Sequence, residues 1–452
     1  MNRRIDPVLK EIALLFRNEG KEIYLVGGAV RDMLRGRKIH DWDIATNALP
    51  DETGAIIKKA GGRVIPTGIK HGTVTIFYKK HSAEITTFRT EADYSDGRRP
   101  DTVNFASTIE EDLSRRDFTM NALALRLPRG ELVDPYNGEN DIHKGIIRCV
   151  GDAEERFNED GLRPLRAVRF ASQLGFEIEP ETLGAIPGVL DTCAKVSMER
   201  VRDETDKILS SPAPSRAFYL MENTGLLNLF LTELASCRGI EQKGFHRFDV
   251  LDHCLLACDY AAKNNYPHEV RLAALFHDIG KPVVKKPGGE GVWTFYRHEN
   301  ISRDLCNKLL TRLRYSNAVI NKVCRLIDGH MFHYTPDWTD SAVRRFIARS
   351  GEENLYNLYL LRRADTYAFT GEETEPRMLL ELQDRVEKIL EKGRVFSLKD
   401  LAVSGNDLIL AGMKPGKKMG VVLNQLLETV LDDPAQNTKE KLIEIAGKIN
   451  CI

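Results

Sequence analysis

Asp41 and Asp43 stand two residues apart in "HDWDIATNALP", one on each side of Trp42. Alternate residues of a strand share a face, so both carboxylates point the same way if this segment is extended. Two like charges that close are unfavourable unless a cation or a proton lies between them. Just upstream, Gly27 and Gly28 close the apolar run "LVGG", and Arg31 lies one turn into the helix predicted by "AVRDMLRG". Glycines between a strand and a helix let backbone amides approach a phosphate, and the helix N-terminus favours negative charge. Paired aspartates on one strand face can hold two Mg²⁺ ions, one activating an attacking hydroxyl and one neutralising a triphosphate. A lone Asp-x-Asp is common in solvated turns. The glycine pair, the arginine and the acidic pair together within residues 27–43 are a sharper signal.

The chain must supply elements that hold these groups. At 452 residues it is too long for one core, so two or more domains are expected. Short β-branched or aromatic runs concentrate before Val150: "IYLVGG", "RVIPT", "TVTIFY", "AEITTF" and "ELVDPY". With "DETGAIIKKAG" and "AVRDMLRG" as helices between them, residues 1–150 read as a compact α+β domain. From Gly151 onward apolar residues recur at three- and four-residue steps, as in "SMERVRDETDKILSS" and "VRLAALFHDIG", and the rest of the chain reads as helical. "KKPGGEGVW" is a turn-rich loop within that half.

Lysine plus arginine (65) nearly equals aspartate plus glutamate (66). The net charge of −1 therefore neither advertises nor excludes a nucleic-acid binder, which needs only a local basic surface. No apolar run reaches membrane-spanning length, and "MNRRIDPVLKEIALLF" reads as an amphipathic helix rather than a signal peptide. The eight cysteines are scattered with no CxxC pair, which predicts a reducing, cytoplasmic setting. Cys254 and Cys258, one turn apart beside His253, read as core packing.

The stretch "LVGGAVRDMLRGRKIHDWDIAT" resembles the nucleotidyltransferase signature of class II tRNA nucleotidyltransferases, within the DNA polymerase β superfamily. "RRDFTMNALAL", "LVDPYNGENDIHKGIIRCVGD", "RFNEDGLRPLRAVRFASQLGF" and "VSMERVRDETDKIL" resemble its later motifs in the same order, and "SGNDLILAGMKPGKKMGVVLNQLLETVL" its helical tail. The resemblance implies a polymerase β-like head with a small sheet (1–150), an all-α nucleotide-selecting and RNA-binding neck (151–235), an HD-type helical body (236–370) and a helical tail (371–452). It implies Asp41 and Asp43 as Mg²⁺ ligands. Glu84, on the strand "AEITTF", is a candidate third carboxylate able to take the proton of an RNA 3′ hydroxyl. Expected partners are tRNA, ATP and CTP, with no membrane and no obligate protein partner.

In "EDGLRPLRAVRF", Asp160 and Arg163 are three apart and would share a helix face, with Arg166 and Arg169 extending a slanted row. On spacing alone this is an ion pair on a basic helix. The resemblance implies that Asp160 and Arg163 form base-pair-like hydrogen bonds to the incoming nucleotide. A carboxylate only accepts and a guanidinium only donates. Cytosine and adenine each offer an amino donor beside a ring-nitrogen acceptor, whereas uracil and guanine offer the reverse. Each buried mismatch costs about 1–3 kcal/mol. By the same resemblance Arg31 and Arg116 contact triphosphate or ribose, Arg166 and Arg169 clamp phosphates, Asp117 lies near the ribose hydroxyls and Asn121 orders that turn. The polar stretch from Glu91 to Phe105 reads as a mobile loop. In the family it helps the switch from C to A addition, and its full length argues against a CC-only enzyme.

"VLDHCLLA" (His253), "LFHDIGKP" (His277, Asp278) and "RRADTYA" (Asp365) resemble the HD phosphohydrolase pattern. His277 and Asp278 on one helix would ligate a second divalent metal together, with His253 and Asp365 arriving from other helices. His298 and His330 could add ligands for another metal or for phosphate, and Lys281 could contact phosphate. The leading expectation is a template-independent enzyme that adds or repairs the tRNA CCA end. An A-adding enzyme, a poly(A) polymerase, and an HD phosphohydrolase whose head only senses nucleotides stay open; "PTGIKHGTVTIFY" resembles the CCA-adding rather than the polyadenylating form.

Overall fold

The computed structural model describes residues 5–39, 41–92, 102–242, 248–289, 293–373, 377–393 and 395–450. The chain divides into two compact units, Met1–Thr232 and Glu233–Ile452. The first is α+β and the second almost wholly helical.

In the first unit the strands are β1 (Ile23–Val26), β2 (Trp42–Thr46), β3 (Arg63–Gly68), β4 (Thr73–Tyr78), β5 (His81–Thr87), β6 (Arg89–Ala92), β7 (Thr102–Phe105), β8 (Ala124–Arg126) and β9 (Glu131–Val133). Seven of them form one sheet in the order β3-β4-β5-β2-β1-β8-β9. Its neighbours are antiparallel except β2 and β5, which run parallel with Asp43 opposite Glu84. Strand alternation sorts the side chains as the sequence pattern predicts. Val74, Ile76, Ala83 and Ile85 are buried, while Glu84 is exposed on the other face. Tyr24, Val26, Ala45 and Phe88 anchor the core beneath the site strands.

The helices of this unit that matter for the site are α1 (Pro7–Asn18), α2 (Gly28–Leu34), α3 (Pro50–Lys59), α4 (Ile109–Ser114), α5 (Gly138–Lys144), α6 (Ala153–Glu159) and α7 (Arg163–Leu174). The N-terminal amphipathic segment forms α1, capped by Asp6 accepting from the Val8 amide at 2.8 Å. The expected join between head and neck at 150/151 does not separate compact units, because structure is shared across it. Ile146–Ile147 pairs in parallel with Glu177–Ile178, the Cys149 amide donates to Thr182 Oγ1 at 3.1 Å, and Phe118 meets Phe170 edge-on at 5.9 Å.

In the second unit the body and tail are likewise tied together, across the expected 370/371 boundary. Arg344 Nε donates to the Leu431 carbonyl at 2.6 Å, and Arg345 pairs with Asp432 at 2.7 Å and Glu428 at 2.8 Å. Within "KKPGGEGVW", read as a loop, Lys286–Pro287 pairs antiparallel with Trp293–Thr294. In the first unit β6 and β7 likewise pair as a ribbon. The tip of the expected mobile loop, 93–101, lies outside the described residues. Among the described residues no helix is long and apolar enough to cross a membrane.

Candidate functional site

Asp43 sits on β2 and Glu84 is its register partner on β5, so the two carboxylates stand side by side on one face of the sheet. Asp41 precedes β2 by one residue and is exposed. Loss of solvent raises the Asp43 carboxyl above the usual range; Arg116 opposes the rise, and the Glu84 and Asp41 charges add to it.

Next to Asp43 opens a cleft of about 500 Å³, bounded by the Gly27–Gly28 turn, Arg116, Asp117, Arg163 and Arg166. Gly27 has φ 65°, and a Cβ there would lie 2.7 Å from Arg116 Nη1. Glycine is favoured here by the positive φ, and its missing side chain leaves room for the Arg116 guanidinium. Arg115 and Arg116 are held by the buried Asp112, at 2.8 and 3.2 Å. Arg166 pairs with Asp117 at 2.6 Å; Asp117 also accepts from Asn121 Nδ2 at 3.2 Å, and Asn121 Oδ1 accepts from Arg31 at 2.9 Å. Burial disfavours the Asp117 charge, but Arg166 outweighs it and holds the carboxyl down at about 2. Arg31, Asn121, Asp117 and Arg166 therefore form one continuous network along the cleft wall.

Asp160 and Arg163 both line this cleft, but not from one helix as the spacing suggests. α6 ends at Glu159, Asp160 adopts an extended backbone at its C-cap, and α7 begins at Arg163 with Pro164 in its first turn. Gly161 makes the break possible, since a Cβ there would meet the Thr192 carbonyl oxygen at 2.5 Å. Arg200, missed by motif reasoning, grips Asp160 with both Nη atoms at 3.0 and 2.7 Å. Arg163 is buried; Nη1 donates to the Arg156 carbonyl at 2.7 Å and to Glu159, and Nη2 donates to the Arg115 carbonyl at 3.1 Å. Among the described residues, Asp160 keeps lone pairs, and Arg163 keeps its Nε–H and one Nη2–H, for a ligand.

Arg169 departs from expectation. Its guanidinium pairs with buried Glu204 at 2.5 Å and donates to Gln173 at 2.7 Å, away from the cleft. Burial brings it down to about 10, against the pull of Glu204. Six residues after Arg163, it lies about 120° away from it around the α7 axis, so the arginine row diverges. A larger cleft of about 1390 Å³ beside Arg35–Ile39 and the Trp42–His81 stack contains none of the candidate residues.

The second unit holds its own cluster. His253 comes from the helix Val250–Lys263 and Asp365 from Glu352–Thr370, as expected. The helix His268–Phe276 stops just short of the His277–Asp278 pair, which occupies its C-cap and the following turn rather than its body. Gly280 permits that turn, because a Cβ there would lie 2.5 Å from the Ser302 amide. His253 Nε2 lies 3.2 Å from His277 Nε2 and 3.1 Å from Asp365 Oδ1. Asp278 turns Oδ2 toward His277 Nε2 (3.3 Å) and Oδ1 toward His298 Nε2 (3.0 Å), and His330 Nε2 lies 3.4 Å from that of His298.

The Nδ1 atoms of His277, His298 and His330 contact the carbonyls of Ala274, Phe295 and Ile327 at 2.9, 2.9 and 2.6 Å. Nδ1–H donation there aims each Nε2 inward, the orientation that histidine metal ligands adopt, while the neighbouring Asp278 and Asp365 carboxylates favour a proton on His277 that a cation would displace. Among the described residues, two donor sets close to within 4.8 Å: His253–His277–Asp365 and His277–Asp278–His330. Burial opposes the charge on His277, yet Asp278 and Asp365 lift it to about 10; burial and His277 push His330 down to about 3. Lys281 Nζ stands 2.6 Å from Asp278 Oδ2. Cys254 and Cys258 are fully buried, as the core reading had them.

Residues 23–148 match the poly(A) polymerase head domain family, 175–237 the family described as a probable RNA and SrmB-binding site of polymerase A, and 289–446 tRNA nucleotidyltransferase domain 2. A CCA-adding enzyme of Lactobacillus johnsonii is 53% identical over 220 residues, which are 49% of this chain and 53% of that protein. That alignment thus spans about half the relative's length. A CCA-adding enzyme of Lactobacillus helveticus is 35% identical over 440 residues, covering 96% of this chain and 94% of the relative. The solved CCA-adding enzyme of Bacillus stearothermophilus, in complex with CTP, superposes with a TM-score of 0.74 at 30% identity, covering 99% of this chain and 98% of that one. With sequence likeness and fold both running nearly end to end, the chain belongs to the family of CCA-adding enzymes.

Proposed function

We propose that this chain is a template-independent nucleotidyltransferase that adds or repairs the 3′-terminal CCA of tRNA from CTP and ATP. The observation that carries the reading is the cleft in which Gly27, Gly28, Arg31, Arg116 and Arg166 converge beside Asp43, with Asp160 and Arg163 lining the same space. In this reading the backbone at the glycine turn and the arginines bind the triphosphate. Asp117, held ionised by Arg166, accepts from the ribose hydroxyls. Asp41 and Asp43 would hold Mg²⁺, which supplies charge neutralisation at the phosphates and acidifies the attacking hydroxyl. Glu84, beside Asp43, receives the proton of the tRNA 3′ hydroxyl as that oxygen adds to the α-phosphorus and pyrophosphate departs.

Base choice falls to Asp160 and Arg163. Arg200 fixes the Asp160 carboxylate, and Glu159 with the Arg115 carbonyl fixes Arg163, so acceptor and donor stand preset for the edge of cytosine or adenine. UTP and GTP would face acceptor with acceptor and donor with donor. The order C, C, A would come from the growing RNA end resizing the pocket. Bound tRNA would be read by shape and backbone. A tRNA substrate and buried free thiols fit a cytoplasmic enzyme.

The experiment supplies tRNA transcripts ending before CCA, after C and after CC with each labelled nucleotide. The reading expects C on the first two and A on the third. A alone, only on the CC end, would select the A-adding alternative; repeated A on any RNA would select polyadenylation.

A second reading, an accessory HD-type phosphohydrolase, is favoured by one observation: three histidines oriented through Nδ1 toward shared Asp278 and Asp365 carboxylates. His253, His277, Asp278 and Asp365 would hold one divalent metal, with His298 and His330 extending the set on the other oxygen of Asp278. Lys281 is placed to meet a phosphate oxygen. Protein treated with chelator and assayed for phosphate release and for nucleotide incorporation tests it.

A further inference from the structure

Two cysteines of the second unit face each other across packed helices. Cys306 lies on the helix His298–Arg312 and Cys324 on the helix Asn317–Gly329, and the two helices pack together. Each cysteine belongs to the buried stripe of its helix, Cys306 with Leu309 and Leu310, Cys324 with Val323 and Ile327. Cys324 Sγ lies 3.6 Å from the carbonyl oxygen of Arg303, which is three residues before Cys306 on the opposing helix. Helical side chains lean toward the N-terminus, so the Cys306 sulfur covers that same turn. The two thiols accordingly interact with each other directly, and both are free.

The two differ in access and in charge. Cys324 is 8% exposed and Cys306 fully buried, and among the described residues no other cysteine is as open as Cys324. The hydrogen bond from Cys306 holds the Cys324 thiol below its ordinary value against the effect of burial, with Asn307 and the Arg303 guanidinium assisting. Burial first, and the contact with Cys324 second, push Cys306 well above the ordinary thiol range. Burial likewise raises the remaining described cysteines. A reachable thiol with thiolate character, beside a buried partner thiol, is the arrangement of a redox-sensing pair.

We propose that Cys324 and Cys306 form a reversible oxidation site, closed to a disulfide by hydrogen peroxide and reopened by a dithiol reductant. The Cys324 thiolate attacks one peroxide oxygen. The O–O bond breaks, leaving a sulfenic acid on Cys324 and a hydroxide that takes up the thiol proton as water. The Cys306 sulfur then attacks the Cys324 sulfur, and the sulfenic hydroxyl leaves as water with the Cys306 proton. Two thiols lose two electrons and two protons in all, and the peroxide is reduced to two waters. The link closes both helices and the turn between them into one ring, which restricts the unfolded chain. In a reducing compartment such a disulfide is transient and forms only while oxidant is present.

The test treats the whole reduced protein with hydrogen peroxide, blocks the remaining thiols with N-ethylmaleimide and maps the peptides by mass spectrometry. The Cys306 and Cys324 peptides should be joined with the loss of two hydrogens, and dithiothreitol should part them. In protein never exposed to peroxide, Cys324 should be blocked about tenfold faster than Cys306. In Cys306→Ala the reaction should stop at a Cys324 sulfenic acid that dimedone traps, and in Cys324→Ser the Cys306 thiol should stay reduced. Cys324 carried on to sulfinic acid in the unsubstituted protein while Cys306 remains free to be blocked would overturn the pair, as would no reaction at either thiol. Oxidation of Cys306 that survives Cys324→Ser would overturn the role given to Cys324. The joined peptides are read in the unsubstituted chain, so a variant that fails to fold leaves the test standing.

Discussion

The two candidate centres solve the problem of clustered charge differently. In the first unit Asp43 and Glu84 lie side by side on an open sheet face with Asp41 at the strand entry, and the basic groups around them are tied to their own acids: Arg166 to Asp117, Arg116 to Asp112, Arg200 to Asp160. In the second unit six histidine and aspartate side chains converge on buried ground, with Nε2 atoms and carboxylate oxygens 3.0–3.6 Å apart. Under the proposed function an open carboxylate face would suit Mg²⁺, which keeps waters and is completed by substrate phosphates. A closed set of imidazoles and carboxylates matches a transition ion held by protein alone. The first site should assemble with its substrate; the second is assembled beforehand.

That contrast can be broken by substitution. Asp43→Ala should lower nucleotide incorporation by about 10³-fold or more, since several kcal/mol of charge stabilisation is removed at tenfold per 1.36 kcal/mol. Single-turnover assays with an unchanged circular-dichroism melt would check it, and normal turnover would refute the metal role. His277→Ala should strip the metal that survives gel filtration, measured by elemental analysis, while CCA addition stays within about twofold. Retention of that metal would mean the histidine set is structural only. Arg163→Ala should reduce discrimination of CTP and ATP against UTP and GTP by about ten- to a hundredfold, because it removes one of the two mispaired groups, at about 1–3 kcal/mol. Competition assays with mixed nucleotides measure it.

The smallest effect concerns pH. Asp117 is held at about 2 against its ordinary 3.8, so the unfolded chain binds its proton first as pH falls. The stability it contributes is full above about pH 4 and is lost as pH falls through about 2, on the order of 2 kcal/mol. Asp117→Asn should therefore flatten the acid limb of the unfolding curve of this unit. An unchanged limb would show that Arg166 gains nothing from the pair.

The strands that carry Asp43 and Glu84 are legible because their signal is local: period-two burial in "TVTIFY" and "AEITTF" sets Glu84 on the face away from the core. The glycine turn was legible for the same reason. The Asp160–Arg163 pair was found by motif, but its geometry was misjudged: Gly161 and Pro164 announce a helix boundary that three-residue spacing conceals. Arg169 turns to Glu204 rather than to the cleft because a row of arginines three apart spirals away from its starting face. Arg200 carried no signal of its own, being one charge among many in "SMERVRDETDK"; only the tertiary contact with Asp160 distinguishes it. The resemblance to the HD pattern names the histidine cluster and joins His253 to Asp365 across 112 positions of chain, a convergence that spacing alone does not reveal.

A crystal structure of the chain with CTP and Mg²⁺ tests the central claim most directly. The cytosine amino group should lie within 3.2 Å of an Asp160 oxygen and its N3 within 3.2 Å of an Arg163 nitrogen, with a cation joining Asp41 and Asp43 to the triphosphate. A cytosine edge facing solvent, or phosphates bound with no cation at those aspartates, would contradict it.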